Sequence, residues 1–235
     1  LMGAPIVAGA TTLIATPYDL LATERMYNSA FVFTPDGVEP GRYDKRHLVV
    51  FGEIVPFRFG RLRPLYFWIN ARVPFSGPEN REFSSFPGEA FRTFSMKAAT
   101  LGGREFRFGT PICYEDVMPY ISREFAASPE GKRVDFLLNI SNDGWFGHGS
   151  QQAQHLSQCV FRAVENRVGI ARAVNTGVSG FIDPTGRMHD MLSASTPPPG
   201  RDRSGFAVAT LMTDSRFSRY SRDGDRASSS SSDLS

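Results

Sequence analysis

The stretch that most constrains this chain is Val134-Asp-Phe-Leu-Leu-Asn-Ile140. A nearly continuous apolar run of this length is the pattern of a strand buried on both faces. Such a strand needs a packed layer on each side. Downstream, apolar residues at Ala153, Leu156, Val160, Ala163, Val164 and Val168 form a helical stripe from Gln151 to about Arg167, with Gly169 expected to end that helix. Ile170 to Val174 then reads as another strand. Hairpin signals accompany this strand–helix–strand unit, at Thr34-Pro-Asp-Gly37 and within Phe181 to Arg187. The combination predicts an α/β fold in which mixed sheets are layered with helices.

The remaining elements follow from similar patterns. Ile6 to Ala10 and Asn28 to Phe33 read as strands, with a polar loop through about Arg25 between them and a hairpin ending near Tyr43. Strands are expected near Phe91 to Ser95, Arg104 to Phe108 and Gly205 to Leu211, and a helix over Val117 to Phe125. Arg58 to Arg92 reads as irregular. Arginines alternate with aromatics over Phe57 to Trp68, which suits either a membrane surface or a lid packed on its own core. Thr196 to Arg203 is a Pro-rich, linker-like loop. The organisation expected is one catalytic-type domain over residues 1–215 and a Ser-rich disordered tail over 216–235.

Composition excludes several function classes. A net charge of +2, from 26 basic and 24 acidic residues, gives no bulk electrostatic case for nucleic acid. Two cysteines, Cys113 and Cys159, make no disulfide framework, and no Cys/His cluster suggests a metal. His155 and Cys159 lie four apart on one helix without a third ligand nearby, so packing and hydrogen bonding is the expectation for them. No cofactor is implied, and no apolar run approaches the ~18–20 residues that span a bilayer.

Chemistry concentrates in Gly109-Thr-Pro-Ile-Cys-Tyr-Glu-Asp116. Cys113 follows an apolar run and precedes a helix-like segment, a setting in which backbone N–H groups and a helix dipole favour thiolate, the nucleophilic form. By itself a lone cysteine is more often a small buried hydrophobe. Lys45, Glu53 and Glu115 also sit at or near strand ends, where they can converge with Cys113 at one rim.

Three strings together, Tyr43-Asp-Lys-Arg-His-Leu-Val-Val-Phe-Gly-Glu-Ile-Val-Pro56, Ile112-Cys-Tyr-Glu115 and Asn139-Ile-Ser-Asn-Asp-Gly-Trp-Phe-Gly147, resemble the nitrilase superfamily of carbon–nitrogen hydrolases. Within it they are most similar to the catalytic domain of the apolipoprotein N-acyltransferases, with Val50 standing where that branch usually has Pro. The resemblance covers roughly Pro5 to Leu192. It implies a four-layer α-β-β-α sandwich with mixed sheets and a Glu–Lys–Cys triad. Cys113 matches the nucleophile, Lys45 the triad lysine and Glu53 a supporting glutamate. Tyr114 and Glu115 match the oxyanion and support positions, and Asn142, Trp145 and Phe146 match a loop bordering the acyl channel. The physics agrees: an ordinary thiol near 8.5 is only a few per cent thiolate at neutral pH. A neighbouring ammonium favours the thiolate and can then hold the oxyanion.

The implied reaction moves an acyl group from phospholipid through a cysteine thioester to the N-terminal amine of a diacylglyceryl-lipoprotein. The implied place is the periplasmic face of a bacterial membrane, with homo-oligomer or membrane-domain contacts possible. No residue matches the family's Pro-Glu general base, and Glu24 is not promoted to that role. The chain is therefore expected to be part of a longer enzyme and to have little turnover alone. Two alternatives remain open: a soluble amidase or nitrilase of the same fold, and a non-catalytic domain that binds or assembles.

Overall fold

The computed structural model describes residues 5–16, 24–34, 37–38, 41–58, 60–72, 84–128, 130–146, 150–193 and 205–224. In chain order the elements are β1 (Ile6–Ala15), β2 (Glu24–Thr34), β3 (Gly37–Val38), β4 (Tyr43–Asp44), α1 (Arg63–Asn70), β5 (Thr93–Ala98) and β6 (Arg104–Gly109). There follow α2 (Pro119–Ala126), β7 (Ala127–Ser128), β8 (Gly131–Lys132), β9 (Phe136–Asn142) and α3 (Gln151–Asn166). The chain continues through β10 (Gly169–Asn175), β11 (Val178–Ile182), β12 (Met188–Ser193) and α4 (Arg219–Asp223).

Two sheets form the body. In the smaller, β1 pairs antiparallel with β2, and β2 also carries β3 and β4. The larger has the order β12-β11-β10-β9-β6-β5. Its centre is parallel, β9 lying between β6 and β10, because α3 carries the chain back across the sheet between β9 and β10. Its margins are antiparallel hairpins. The β11–β12 turn is tied by Asp183 Oδ1, which accepts from the N–H groups of Thr185 at 2.8 Å and Arg187 at 3.0 Å.

Residues from both sheets and from two helices share one core. The cluster takes in Ala30 and Val32 of β2, Phe108 of β6, Leu137 of β9, Ile170 of β10, Ile121 and Phe125 of α2, and Cys159 and Ala163 of α3. Burying a Phe or Leu side chain fully stabilises by about 1.5–3 kcal/mol. The aromatic members add directional contacts: Phe108 stacks on Phe136 at 5.4 Å, and Tyr43 meets Phe125 edge-on at 4.9 Å. Small sheet, large sheet and the α2–α3 layer are thus three layers of the expected sandwich, and the α/β class with mixed sheets holds.

Five expectations change. β1 runs on to Ala15 and β2 already starts at Glu24, each paired with the other to its end, so both reach into the stretch expected as a polar loop. Arg63–Asn70 is a helix rather than irregular chain: Pro64 sits in its first turn and Tyr66 is buried. α3 ends at Arg167, which takes the left-handed conformation at φ 52°. Gly169 instead opens β10, where a Cβ would lie 2.3 Å from the Met212 carbonyl oxygen. Gly205 to Leu211 joins neither sheet, although Leu211 packs against the core. The boundary of the expected tail also moves. Within 216–235, Ser218 caps α4 by accepting from the Ser221 N–H at 2.9 Å. Arg123 of α2 donates to the carbonyls of Tyr220, Ser221 and Arg222. Residues 225–235 and the Pro-rich loop 196–203 lie outside the described residues.

Candidate active site

β4 is only two residues long, yet it hangs Lys45 from the small sheet. Ala30 pairs with Tyr43 and Ser29 with Asp44, after which the Lys45 N–H donates to the Asn28 carbonyl at 2.8 Å. The Lys45 carbonyl accepts from the Gly88 N–H at 2.9 Å. That approach is so close that a Cβ on Gly88 would stand 2.1 Å from the Asp44 carbonyl oxygen. The lysine side chain is buried, and its Nζ lies 2.6 Å from Glu53 Oε2. Glu53 is itself oriented by the Val49 N–H on Oε2 at 2.9 Å and by Asn28 Nδ2 on Oε1 at 3.1 Å. A buried ammonium needs such a partner, because isolated burial of its charge costs several kcal/mol.

Cys113 arrives from the other sheet. After β6 ends at Gly109, Ile112 makes a parallel bridge to Ile140 of β9, and Cys113 to Asp116 form a single 3₁₀ turn. α2 begins only at Pro119, so the helix expected immediately behind the cysteine is replaced by that turn. Cys113 has φ 51°, a left-handed conformation that residues bearing a Cβ disfavour. Strain of this kind persists only where the surroundings over-determine it.

Glu115 supplies part of that restraint. Its buried carboxylate accepts from the Ile112 N–H at 2.8 Å on one side of the cysteine. On the other it takes the N–H groups of Arg46 at 2.8 Å and His47 at 3.0 Å, and the Tyr43 hydroxyl at 2.8 Å. It therefore staples the cysteine turn to the residues flanking Lys45. Burial pushes the Glu115 carboxyl above the ordinary carboxylate range, against the four donors that favour its charge. Burial, and then the Glu115 charge, push the Tyr43 phenol far up, so it remains a donor.

Cys113 and Glu53 line one cleft of about 660 Å³ together with Asn28, Ser141 and Asn142, over apolar walls that include Ile112 and Ile140. Asn142 is exposed at the end of β9, its Oδ1 accepting from the Gly144 N–H at 3.2 Å and Asn175 Nδ2 at 3.3 Å. Tyr114 is half-buried, its ring 6.4 Å from that of His155. The side chains of Trp145 and Phe146 lie outside the described residues. Among the described residues no group of three or more His, Cys, Asp or Glu is placed to hold a metal.

A cluster that sequence reasoning missed stands behind the cysteine. His155 bridges Asp116 Oδ1 at 2.7 Å and Asp143 Oδ1 at 3.0 Å. Arg172 pairs with Asp116 and with Asp143 Oδ2 at 3.4 Å, and donates to Asn139 Oδ1 at 2.6 Å. Two signals were available. Asn139 and Arg172 are lone polar residues inside runs that otherwise read as buried strands. Cys159 lies against the same cluster, and burial pushes its thiol up to about 12, which leaves it a packing residue as expected.

A cysteine on a strained turn, a buried lysine–carboxylate pair and a second carboxylate joining their segments, on two packed sheets, are the parts a sandwich-type cysteine hydrolase or transferase needs. Residues 6–197 match the model of the carbon–nitrogen hydrolase family, and the chain belongs to that family. It is 34% identical over 213 residues to apolipoprotein N-acyltransferase 1 of Treponema denticola, covering 88% of this chain and 35% of that protein. It is 42% identical over 164 residues to apolipoprotein N-acyltransferase of Geobacter metallireducens, covering 70% of this chain and 27% of that protein. The chain thus spans about a third of the length of these relatives. An amidase from Nesterenkonia sp. shows a looser backbone likeness, with a TM-score of 0.48 at 18% identity, over 83% of this chain and 59% of that one.

Proposed function

We propose that this chain carries the nucleophile and the lysine of a cysteine-dependent acyl transfer. The acyl group comes from a phospholipid ester and goes to the N-terminal amine of a diacylglyceryl-lipoprotein. The observation that carries the reading is the Glu115 staple, which ties the Cys113 turn to the Lys45 segment beside a shared cleft. N-acyl transfer to an apolipoprotein is what the names of the relatives say of them, and the phospholipid donor is what the family resemblance implies.

In the first half-reaction Sγ of Cys113 attacks the ester carbonyl carbon, forming C–S. The C–O bond breaks, and the thiol proton ends on the departing lysophospholipid alkoxide. In the second, the lipoprotein amine attacks the thioester carbon and C–N forms as C–S breaks. The proton lost by the amine returns to sulfur. Lys45, with the N–H of Tyr114, holds the tetrahedral oxyanion, and Glu53 keeps the ammonium oriented. Glu115 supports both partners. Asn142, Trp145 and Phe146 border the acyl chain. No residue of this chain is assigned as general base.

The reaction is set at the periplasmic face of a bacterial membrane. No helix among the described residues is long and apolar enough to cross one. Phe51, Phe57, Leu62, Phe67 and Trp68, however, expose large apolar surfaces in the region that follows the Lys45 segment. Mass spectrometry after incubation with phospholipid tests the proposal. An acyl adduct is expected on Cys113, abolished by Cys113→Ala and retained in Cys159→Ala. An adduct formed only from small amides would make the chain an amidase. An unmodified thiol under both treatments would make it a non-catalytic domain.

A further inference from the structure

We propose that Asn139 is a positioning residue for Cys113, held in its working orientation by Arg172. The inference rests on the reading of Cys113 as the reactive group. Asn139 Nδ2 donates to two carbonyls that bracket the nucleophile, Pro111 at 3.2 Å and Cys113 itself at 3.4 Å. Its Oδ1 faces Arg172 Nη1 at 2.6 Å. A guanidinium only donates, so the amide oxygen must point at Arg172 and the amide NH₂ must point at the cysteine turn. The orientation is fixed by chemistry rather than by shape.

Arg172 is held in turn. Its Nε donates to the Val178 carbonyl at 3.3 Å, and its guanidinium also pairs with the Asp116 and Asp143 carboxylates bridged by His155 and lies against the Cys159 thiol. Arg172, Asp116, Asp143, His155 and Asn139 are all buried. Two cations face two anions when His155 is protonated, so the cluster is neutral. Buried ionic clusters are weak devices for stability, since apolar replacements often do as well or better. What this one supplies is a rigid donor aimed at the strained backbone of Cys113. A left-handed conformation at a residue with a Cβ is disfavoured roughly tenfold. Without the Asn139 donor, the turn relaxes by that order and the sulfur leaves its place in the cleft.

Asn139→Leu removes the donor at nearly the same volume and adds no charge to the neutral cluster, so it separates positioning from electrostatics. The Pro111 and Cys113 carbonyls lose their side-chain donor, while Arg172 keeps the Asp116 and Asp143 carboxylates. Alkylation of Cys113 by iodoacetamide, in which the S–C bond forms as iodide leaves, is followed by mass spectrometry over roughly pH 6 to 9. Circular dichroism and the thermal midpoint report the fold. The variant is expected to stay folded and to alkylate on the order of tenfold more slowly, with an altered pH–rate profile. Arg172→Lys keeps the charge but loses the fork and should give a smaller slowing. It decides the matter if Asn139→Leu does not fold. Unchanged rate and profile in a folded variant overturn the proposal. Rapid alkylation of the unaltered protein with no acyl adduct would instead sink the acyl-transfer reading and leave this one standing.

Discussion

Raising the pH takes one proton out of the buried cluster behind Cys113, at His155. The imidazole stands 2.7 Å from Asp116 Oδ1 and 3.0 Å from Asp143 Oδ1, with the Arg172 guanidinium bound to the same two carboxylates. Burial disfavours its charge and Arg172 repels it. The two carboxylates outweigh both and raise its midpoint from 6.5 to about 9. The folded chain therefore holds this proton more tightly than the unfolded chain does. The stability it contributes is fully present below 6.5, declines as pH rises, and is gone above about 9. At ~1.4 kcal/mol for each tenfold in proton affinity, the loss across that window is about 3 kcal/mol. Domains of this size are stable by only about 5–15 kcal/mol, so the effect is large.

Urea unfolding, followed by far-UV circular dichroism at several pH values through the window, measures it in the unaltered protein and in His155→Gln. Glutamine cannot take up the proton. The unaltered protein should lose about 3 kcal/mol between the ends of the window, and the variant only the part contributed by other groups. Cys159, raised by burial from 9.0 to about 12, adds a loss of its own only from the top of the window upward, where the unfolded thiol ionises, and it does so in both proteins. Equal pH dependence in the two proteins would refute the reasoning.

Three further outcomes are expected. Glu115→Ala strips the acceptor from three N–H groups and the Tyr43 hydroxyl. It should cost roughly 3–5 kcal/mol in urea unfolding, and a loss under about 1 kcal/mol would mean water replaces the carboxylate freely. Cys159 is fully buried and Cys113 half-exposed, so a thiol-specific disulfide reagent should find one reactive thiol in the native protein and both in urea. Prompt reaction of both in buffer would contradict the burial. Trp68 is 56% exposed on α1 beside exposed Leu65 and Phe67, so anionic vesicles should shift its fluorescence to the blue. Salt should weaken the effect and Trp68→Ala abolish it. An unchanged spectrum with vesicles would count against a membrane-facing role for this helix.

The α/β class was legible because periodicity reports burial directly. Val134 to Ile140 had no polar face, and the stripe from Ala153 to Val168 had one, which is why β9 and α3 fell within a few residues of expectation. Residues 63–70 were harder. Of that helix only Tyr66 is fully buried, so no apolar stripe announced it. α4 was hidden for a related reason, being held by Arg123 bonds to backbone carbonyls and by serine capping rather than by apolar side chains. At the site, Cys113, Lys45, Glu53 and Glu115 stood out because their strings are specific. The joining of Asp116, His155 and Arg172 did not. Each belongs to a different element, and nothing in one dimension says that β10 brings Arg172 beneath the turn after β6.

That dispersal has a mechanical consequence. The φ 51° conformation of Cys113 is gripped from two directions. Glu115 pulls the turn toward β4 and the small sheet through the Arg46 and His47 N–H groups. Asn139 of β9 holds it to the large sheet. The position of the sulfur relative to Lys45 is therefore set by how the two sheets pack, through core residues such as Val32 and Phe108. Close-packed interiors transmit small volume changes rather than absorbing them. A substitution that opens the inter-sheet core, such as Val32→Ala, thus acts on Cys113 and Lys45 without touching either. Its effect on Cys113 alkylation should exceed that of an equally destabilising change on the outer face of α3.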